Sequence, residues 1–131
     1  MLAAVETVNP MMPATLDAAA LTVMAARGQI TGALVDGPLA FDNAISPEAA
    51  ATKGIISQVA GEADILLVPD LEAGNMLAKQ LIYFAGATAA GLVLGARVPI
   101  VLTSRADPLS ARIASAALAK LVAIRKAEVK A

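Results

Sequence analysis

Residues 101–108 of this 131-residue chain read VLTSRADP, and they place a hydroxyl, a guanidinium and a carboxylate directly after an apolar run. Ser104 can donate a hydrogen bond, and Arg105 can bind phosphate or carboxylate oxygens with two parallel hydrogen bonds. Asp107 precedes Pro108, an arrangement typical of a helix start, where free backbone N–H groups also favour an anion. The stretch therefore predicts an oxyanion-binding turn.

These three residues also have structural explanations. Ser104 can be a simple loop hydroxyl, and Arg105 can be a solvated cation that pairs with Asp107. For Asp107 the pattern favours helix capping over catalysis, because an acid followed by proline at a helix start satisfies free N–H groups. Both interpretations stay open at the sequence level.

A second polar stretch, VPDLEAGNMLAK at residues 68–79, follows another apolar run. Asp70, Asn75 and Lys79 supply a carboxylate, an amide and an ammonium that can bind a polar ligand. Asn75 and Lys79 are four residues apart, so a helix would place them on one face. Alternatively, Asp70 or Glu72 caps that helix and Lys79 is a surface residue. The stretch lacks the glycines and the Lys-Ser/Thr pair of a phosphate-binding P-loop.

A third stretch, DGPLAFDNAIS at residues 36–46, carries two acids and an amide. Asp36 and Asp42 can bind a metal or share a proton, and Asn43 stands beside them. Acids in a loop with glycine and proline are also ordinary turn formers. No spacing in the chain indicates a metal site, so no metal is predicted.

The composition excludes several classes of function. The chain has no cysteine and no histidine, which excludes disulfides, zinc–thiolate sites and a thiol nucleophile, and leaves proton transfer to carboxylates, lysine, tyrosine or water. A net charge of −1 gives no basic surface for nucleic acid. Hydrophobic residues make up 58% of the chain and charged residues 16%, so surface shared with a second domain or subunit is expected.

Neither a membrane protein nor a secreted one is expected. The longest charge-free stretch, residues 80–96, contains three glycines and is shorter than the ~20 apolar residues that a membrane helix needs. The N-terminus has no basic region before an apolar run, so it is not a signal peptide. We expect a soluble, cytoplasmic protein.

The elements that must position the three stretches alternate between helix and strand. The predicted helices are 14–27, 46–60, 72–85 and 107–126, and the predicted strands are 30–35, 64–68, 89–94 and 98–102. This order predicts an α/β fold with a mostly parallel, mixed sheet and helices on both faces. The sheet is mixed because only residues 95–97 separate the last two strands, which fits an antiparallel hairpin. In such folds ligands bind beyond the carboxyl ends of strands, where the three polar stretches fall.

Residues 36–46, 68–107 and the lead-in 6–35 together closely resemble the phosphate acetyltransferase/phosphate butyryltransferase family, and most of all its butyryltransferase-like branch. The motifs PDLEAGN and LTSRAD carry the likeness, which covers essentially the whole chain. It implies reversible acyl transfer between coenzyme A (CoA) and orthophosphate. It also implies a fold similar to the isocitrate/isopropylmalate dehydrogenase superfamily, with two α/β domains, a cleft between them and a homodimer.

Members of that family are usually more than twice this length. The resemblance therefore implies that residues 1–131 are the C-terminal portion of such a protein, with a first domain missing that acts in cis or in trans. Residues 1–5 read like the middle of a strand, which agrees with this interpretation.

The resemblance also assigns roles. Arg105 would bind the phosphoryl group, and Ser104 would lie near the CoA sulfur. The acetyltransferases place a proposed base near position 111, which is alanine here. Either Asp107 substitutes for it, or the base lies elsewhere, or phosphate itself takes the proton. The remaining candidates fall in the matching stretches as substrate-binding residues: Asp36, Asp42, Asn43, Asp70, Asn75 and Lys79.

Three functions are compared. The first is a phosphate acyltransferase whose substrates are acyl-CoA and phosphate, with no covalently bound cofactor. The second is a catalytically incomplete, dimerising or ligand-binding fragment of such an enzyme. The third, a metal-dependent dehydrogenase of the same superfamily, is the least supported because no acid cluster suits Mg²⁺.

Overall fold

The computed structural model describes residues 1–128, so the last three residues of the predicted domain lie outside it. The chain divides into two compact units, Met1–Met76 and Leu77–Ala131. Helices and a small sheet are both present, so the predicted α/β class is confirmed. None of the helices in residues 1–128 is long and apolar enough to cross a membrane.

The first helix of the first unit, α1, spans Pro13–Ala26 and agrees with the prediction. Proline at its first position has no N–H to leave unsatisfied. The buried Thr15 hydroxyl fixes the approach to the helix, because it lies 2.8 Å from the Met12 carbonyl oxygen and accepts a hydrogen bond from the Asn9 N–H. Gly28 ends the helix with a φ of 73°, which is the conformation that favours glycine at this place.

Two short helices follow in the first unit, α2 at Phe41–Ile45 and α3 at Pro47–Thr52. Ser46 ends α2 and caps α3, since its Oγ accepts a hydrogen bond from the Ala49 N–H at 3.2 Å. This confirms the predicted helix start at Ser46. The predicted end at residue 60 is wrong, because Gly54 adopts a φ of 66° and stops the helix. The helix α2 was not predicted.

Extended segments form the centre of the first unit. Leu2 and Leu39 make a parallel bridge, and the Leu2 N–H donates to the Leu67 carbonyl oxygen at 2.8 Å. Leu2 and Leu39 are buried together with Ala18, Ala44 and Ala50. The predicted strands 30–35 and 64–68 do not form as strands, although Leu67 provides one hydrogen bond to this centre.

The helix α4 spans Leu71–Tyr83 and agrees with the predicted helix at 72–85. In the second unit, the strands β1 at Leu92–Val93 and β2 at Ile100–Val101 pair antiparallel, with Leu92 opposite Val101. The predicted hairpin is confirmed, with shorter strands. Within residues 1–128 this is the only multi-strand sheet, so the mostly parallel sheet of the prediction is not observed there.

The helix α5 at Leu109–Glu128 packs on both strands of the hairpin. Ser115 fixes this packing. Its buried Oγ donates to the Ala111 carbonyl oxygen at 2.7 Å and accepts from the Gly91 N–H at 3.0 Å. The hairpin also places β2 a few residues before the polar turn at 103–107.

Candidate functional site

Residues 104–107 form a turn whose first and last residues, Ser104 and Asp107, are joined by two hydrogen bonds. The Asp107 N–H donates to the Ser104 carbonyl oxygen at 3.1 Å, and the Ser104 N–H donates to Asp107 Oδ2 at 2.6 Å. The Ser104 Oγ accepts a long hydrogen bond of 3.4 Å from the Ala106 N–H. Arg105 and Ala106 therefore occupy the central positions of a turn held by its own residues.

The predicted capping role of Asp107 is wrong. The helix α5 begins at Leu109, and the Asp107 carboxylate accepts from a backbone N–H three residues upstream of itself. The carboxylate thus stabilises the turn rather than the start of the helix.

The Arg105 side chain is exposed, and within residues 1–128 its guanidinium makes no hydrogen bond or ion pair. The alternative in which Arg105 pairs with Asp107 is not observed: the Asp107 carboxylate accepts from the Ser104 N–H, and no ion pair joins the two side chains. An exposed guanidinium on a fixed turn, with no counter-charge, is suited to binding a phosphate or carboxylate oxygen pair.

A second arginine contacts the same turn. Arg112 lies in the first turns of α5, and its Nε donates to the Asp107 carbonyl oxygen at 3.3 Å. Its Nη2 donates to the Arg105 carbonyl oxygen, also at 3.3 Å. No local pattern in the sequence points to Arg112, because both of its partners are backbone oxygens of the folded turn.

In the second polar stretch, the structure supports the capping explanation for Asp70. Its Oδ1 accepts from the Ala73 N–H at 2.7 Å, in the first turn of α4. Gly74 lies close to Val68, since an added Cβ would be 2.8 Å from a Val68 methyl carbon. Asn75 is exposed in the first unit, and Lys79 is exposed in the second, 6.0 Å from the centre of the Tyr83 ring.

Asp36, in the first polar stretch, acts as a turn former. Its Oδ1 accepts from the Gly37 N–H at 2.8 Å, directly before the cis peptide bond between Gly37 and Pro38. Gly37 is needed here because an added Cβ would be 2.8 Å from the Met1 carbonyl oxygen.

Asp42 and Asn43 lie side by side on α2 and join a charged group that we call the Lys53 cluster: Glu6, Asp42, Asn43 and Lys53. The Lys53 Nζ lies 3.1 Å from Asp42 Oδ2 and 3.2 Å from Glu6 Oε2. The Asn43 Nδ2 donates to the same Glu6 oxygen at 3.2 Å. The sequence missed Glu6 and Lys53, because no local pattern reveals a pair that is 47 residues apart.

Asn43 and Asp42 differ in burial, and this gives them different roles in the Lys53 cluster. Asn43 is fully buried, and its Oδ1 has no partner among the described residues, so it positions Glu6 and cannot meet a ligand directly. The Asp42 side chain is 55% exposed and lines a cavity of about 330 Å³ together with Lys53. Asp42 is therefore the cluster's accessible acid.

The contacts of the cluster shift its pKa values. A hydrogen bond from Lys53 is the main cause that lowers the pKa of Asp42, and the bond raises the pKa of Lys53 in return. Backbone hydrogen bonding, followed by the bond from Lys53, lowers the pKa of Glu6. Among residues 1–128, no group of three or more acids could hold a metal ion.

We expect Lys53→Met to lower the free energy of unfolding at pH 7. The ordinary pKa values are 4.5 for Glu6 and 3.8 for Asp42, and folding lowers both. The cluster therefore stabilises the fold above those values and loses its contribution as the pH falls through the lower folded values. The difference between variant and wild type should begin to shrink as the pH drops below 4.5, through Glu6, and should shrink further below 3.8, through Asp42.

Urea unfolding between pH 7 and pH 2 measures this dependence. Lys120→Met, an exposed lysine on α5, is the matched control and should show a small, nearly constant difference from wild type. A Lys53→Met curve that runs parallel to the wild-type curve at every pH would contradict the assignment.

A larger cavity in the first unit, of about 450 Å³, lies between α1 and the extended residues 67–69. Its lining side chains are apolar apart from Asp17, and the Met1 ammonium beside it already donates to the Asp36 carbonyl oxygen at 2.6 Å. None of the predicted site residues lines it, and its chemistry does not match theirs.

Comparisons with known proteins agree with the motifs of the site stretches. Residues 1–120 match the family model described as phosphate acetyl/butaryl transferase. A phosphate acetyltransferase of Rickettsia felis is 68% identical over 121 residues, which are 92% of this chain and 35% of that protein. A probable phosphate butyryltransferase of Bacillus subtilis is 63% identical over 118 residues, 90% of this chain and 40% of that protein.

A solved structure is similar as well. The crystal structure of a branched-chain phosphotransacylase from Enterococcus faecalis V583 superimposes with a TM-score of 0.79 at 40% sequence identity. The match covers 91% of this chain and 42% of that one. The chain thus spans between about a third and two fifths of the length of the relatives it matches.

Proposed function

Since the chain belongs to the phosphate acetyl/butaryl transferase family, we propose that it takes part in the reversible transfer of a short acyl group between CoA and orthophosphate. The observation that carries this proposal is the Arg105 guanidinium, exposed and without a partner among the described residues, on a turn fixed by Asp107 and Arg112. CoA and phosphate are substrates in this reaction, and no other cofactor is required.

In the forward direction, an oxygen of hydrogen phosphate attacks the carbonyl carbon of the thioester. The new C–O bond forms, the C–S bond breaks, and acyl phosphate leaves together with CoA. Because no residue among the described 1–128 is suited to form a covalent acyl intermediate, positioning and charge stabilisation supply the acceleration.

Arg105 holds two phosphate oxygens and offsets the negative charge that both the nucleophile and the tetrahedral intermediate carry. Ser104 is exposed and directly precedes Arg105, so its hydroxyl is available to donate a hydrogen bond to the departing sulfur or to the acyl oxygen. Asp107 contributes through the turn, because its carboxylate is already bound to the Ser104 N–H.

The proton balance supports one of the three alternatives for the base. Position 111, near which the acetyltransferases carry an acid, is a buried alanine, and Asp107 Oδ2 already accepts a hydrogen bond from the Ser104 N–H. Hydrogen phosphate carries one proton, and the departing thiolate needs one. Transfer of that proton from the phosphate hydroxyl to the sulfur yields the acyl phosphate dianion and the CoA thiol, without a protein base.

The remaining candidates are proposed as substrate-binding residues of the same reaction. The exposure of Asp70, Asn75, Lys79 and Asp42 supports this role, whereas Asp36 is half-buried in its turn. Asn43 is proposed to act indirectly, through Glu6.

We further propose that residues 1–131 are the C-terminal portion of a larger enzyme, whose first domain acts in cis or in trans. The length of the relatives supports this, as does the exposure of large apolar residues such as Ile56, Phe84 and Leu109. In the complete protein we expect the isocitrate/isopropylmalate dehydrogenase-like fold, with a mostly parallel sheet, and a homodimer that buries apolar residues of α5. A cytoplasmic location stays a prediction.

The chain spans only 35–40% of the length of its relatives, which also favours the second candidate, a fragment that is catalytically incomplete alone. The test measures thiol release from acetyl-CoA and butyryl-CoA with phosphate, for the chain alone and for the chain mixed with the part of the Bacillus subtilis relative that lies outside the match. We expect phosphate-dependent, saturable release in the mixture, and sulfate in place of phosphate should give none.

The two arms separate the candidates. Release by the chain alone supports a complete catalytic unit, and release by the mixture only supports the incomplete fragment. If neither arm releases thiol in response to phosphate, the acyltransferase proposal is wrong for this chain.

A further inference from the structure

Arg112 contacts the turn at two points, and both contacts are hydrogen bonds to backbone oxygens. Its two donors reach the carbonyl oxygens of Arg105 and Asp107, at 3.3 Å each. The guanidinium group is planar and rigid, so its two donors fix the separation of these two oxygens. The Arg105 peptide group is thereby tied to the first turns of α5.

Resting on the proposed function, we propose that Arg112 is a positioning residue that orients Arg105 for phosphate. Two independent sets of hydrogen bonds hold the turn. The Asp107 carboxylate holds its N-terminal side through the Ser104 N–H, and Arg112 holds the carbonyl oxygens of its centre and its C-terminal side. Because both sets of hydrogen bonds already order the backbone of the turn, little of its conformational entropy is lost when Arg105 binds an anion.

The same contacts separate positioning from charge. A lysine at position 112 keeps the positive charge but has a single ammonium on a flexible stem, which cannot hold both carbonyl oxygens in a fixed geometry. A glutamine at position 112 removes both the positive charge and the paired guanidinium donors. If Arg112 acts by positioning, the lysine variant resembles the glutamine variant, and if it acts by charge alone, the lysine variant resembles wild type.

Binding of inorganic phosphate to the full chain tests this, measured by calorimetry and by the NMR signal of the Arg105 side-chain Nε–H group. We compare wild type with Arg105→Gln, Arg112→Lys, Arg112→Gln and the exposed control Arg97→Gln. Both Arg112 variants should raise the Kd for phosphate roughly three- to tenfold, as expected for loss of two exposed hydrogen bonds. The Arg105 signal should broaden or shift in both, and Arg97→Gln should match wild type.

Each outcome is informative. If Arg105→Gln binds phosphate as tightly as wild type, or wild type does not bind, the proposed function fails at this site. If Arg105→Gln loses binding while both Arg112 variants keep the wild-type Kd, the positioning role is overturned and the proposed function stands. Full recovery in Arg112→Lys overturns positioning in favour of charge. Urea unfolding of each variant shows whether a loss of binding reflects a loss of folding. If Arg112→Gln folds poorly, Arg112→Lys alone is compared with wild type.

Discussion

Replacing Arg105 with alanine is expected to lower kcat/KM for phosphate-dependent acyl transfer by roughly 100-fold or more, which corresponds to about 2.7 kcal/mol or more. The guanidinium has no partner among the described residues, so the substitution removes no structural contact there. What it removes is the cation that faces the phosphate both before and during attack, and therefore activity rather than stability should change.

Steady-state rates in the mixture of the chain with the complementary part of the relative measure this effect. Arg97→Ala, an exposed arginine of the hairpin turn, is the matched control and should leave the rates within about twofold of wild type. Arg105→Lys should fall between, because an ammonium keeps the charge and loses the paired geometry. A loss of less than about threefold in Arg105→Ala would remove Arg105 from the mechanism.

The second large effect concerns stability. Gly91→Ala should lower the free energy of unfolding by about 3 kcal/mol, because an added Cβ would overlap the carbonyl oxygen of Leu102. That oxygen belongs to the backbone of the neighbouring chain segment, whose N–H donates to the Gly91 carbonyl oxygen at 3.0 Å. Relief of the overlap would displace the segment that leads into the polar turn, so phosphate binding should weaken as well.

Gly74→Ala is the matched control, since neither glycine has a positive φ. At position 74 the added Cβ meets only side-chain atoms of Val68, of which the nearest is a methyl carbon that side-chain rotation can move, and the helix gains from replacing glycine. We expect a change within about 1 kcal/mol for this variant. Urea unfolding followed by circular dichroism compares the two, and equal stabilities for both variants would contradict the proposed overlap.

Helices were predictable from the sequence where their signals are local. The apolar spacing and Gly28 define α1, and the predicted α4 and α5 lie within about two residues of the observed helices. The strand prediction at 30–35 failed because a strand needs a neighbour, and a local apolar run does not show whether one is present. Gly54 ends α3, and glycine is a common signal for the end of a helix, so this stop was predictable from the sequence.

The sequence predicted residues of the candidate site, but it did not predict the hydrogen bonds that these residues make. The sequence identified Ser104, Arg105 and Asp107 from their order alone. It could not show that Asp107 bonds back to the turn, since an acid before proline fits a helix cap equally well at the sequence level. Arg112 and Lys53 were missed because their partners are defined only once the chain has folded.

Ser46 is shared by two helices, and this has a kinetic consequence. With five and six residues, α2 and α3 are each too short to persist alone, and the residue that ends one caps the other. Their amide protons should therefore exchange with solvent in one concerted opening event rather than in two. Such an opening would release the side chains of Asp42 and Asn43 together, so the Lys53 cluster assembles and disperses at the rate of this helix pair.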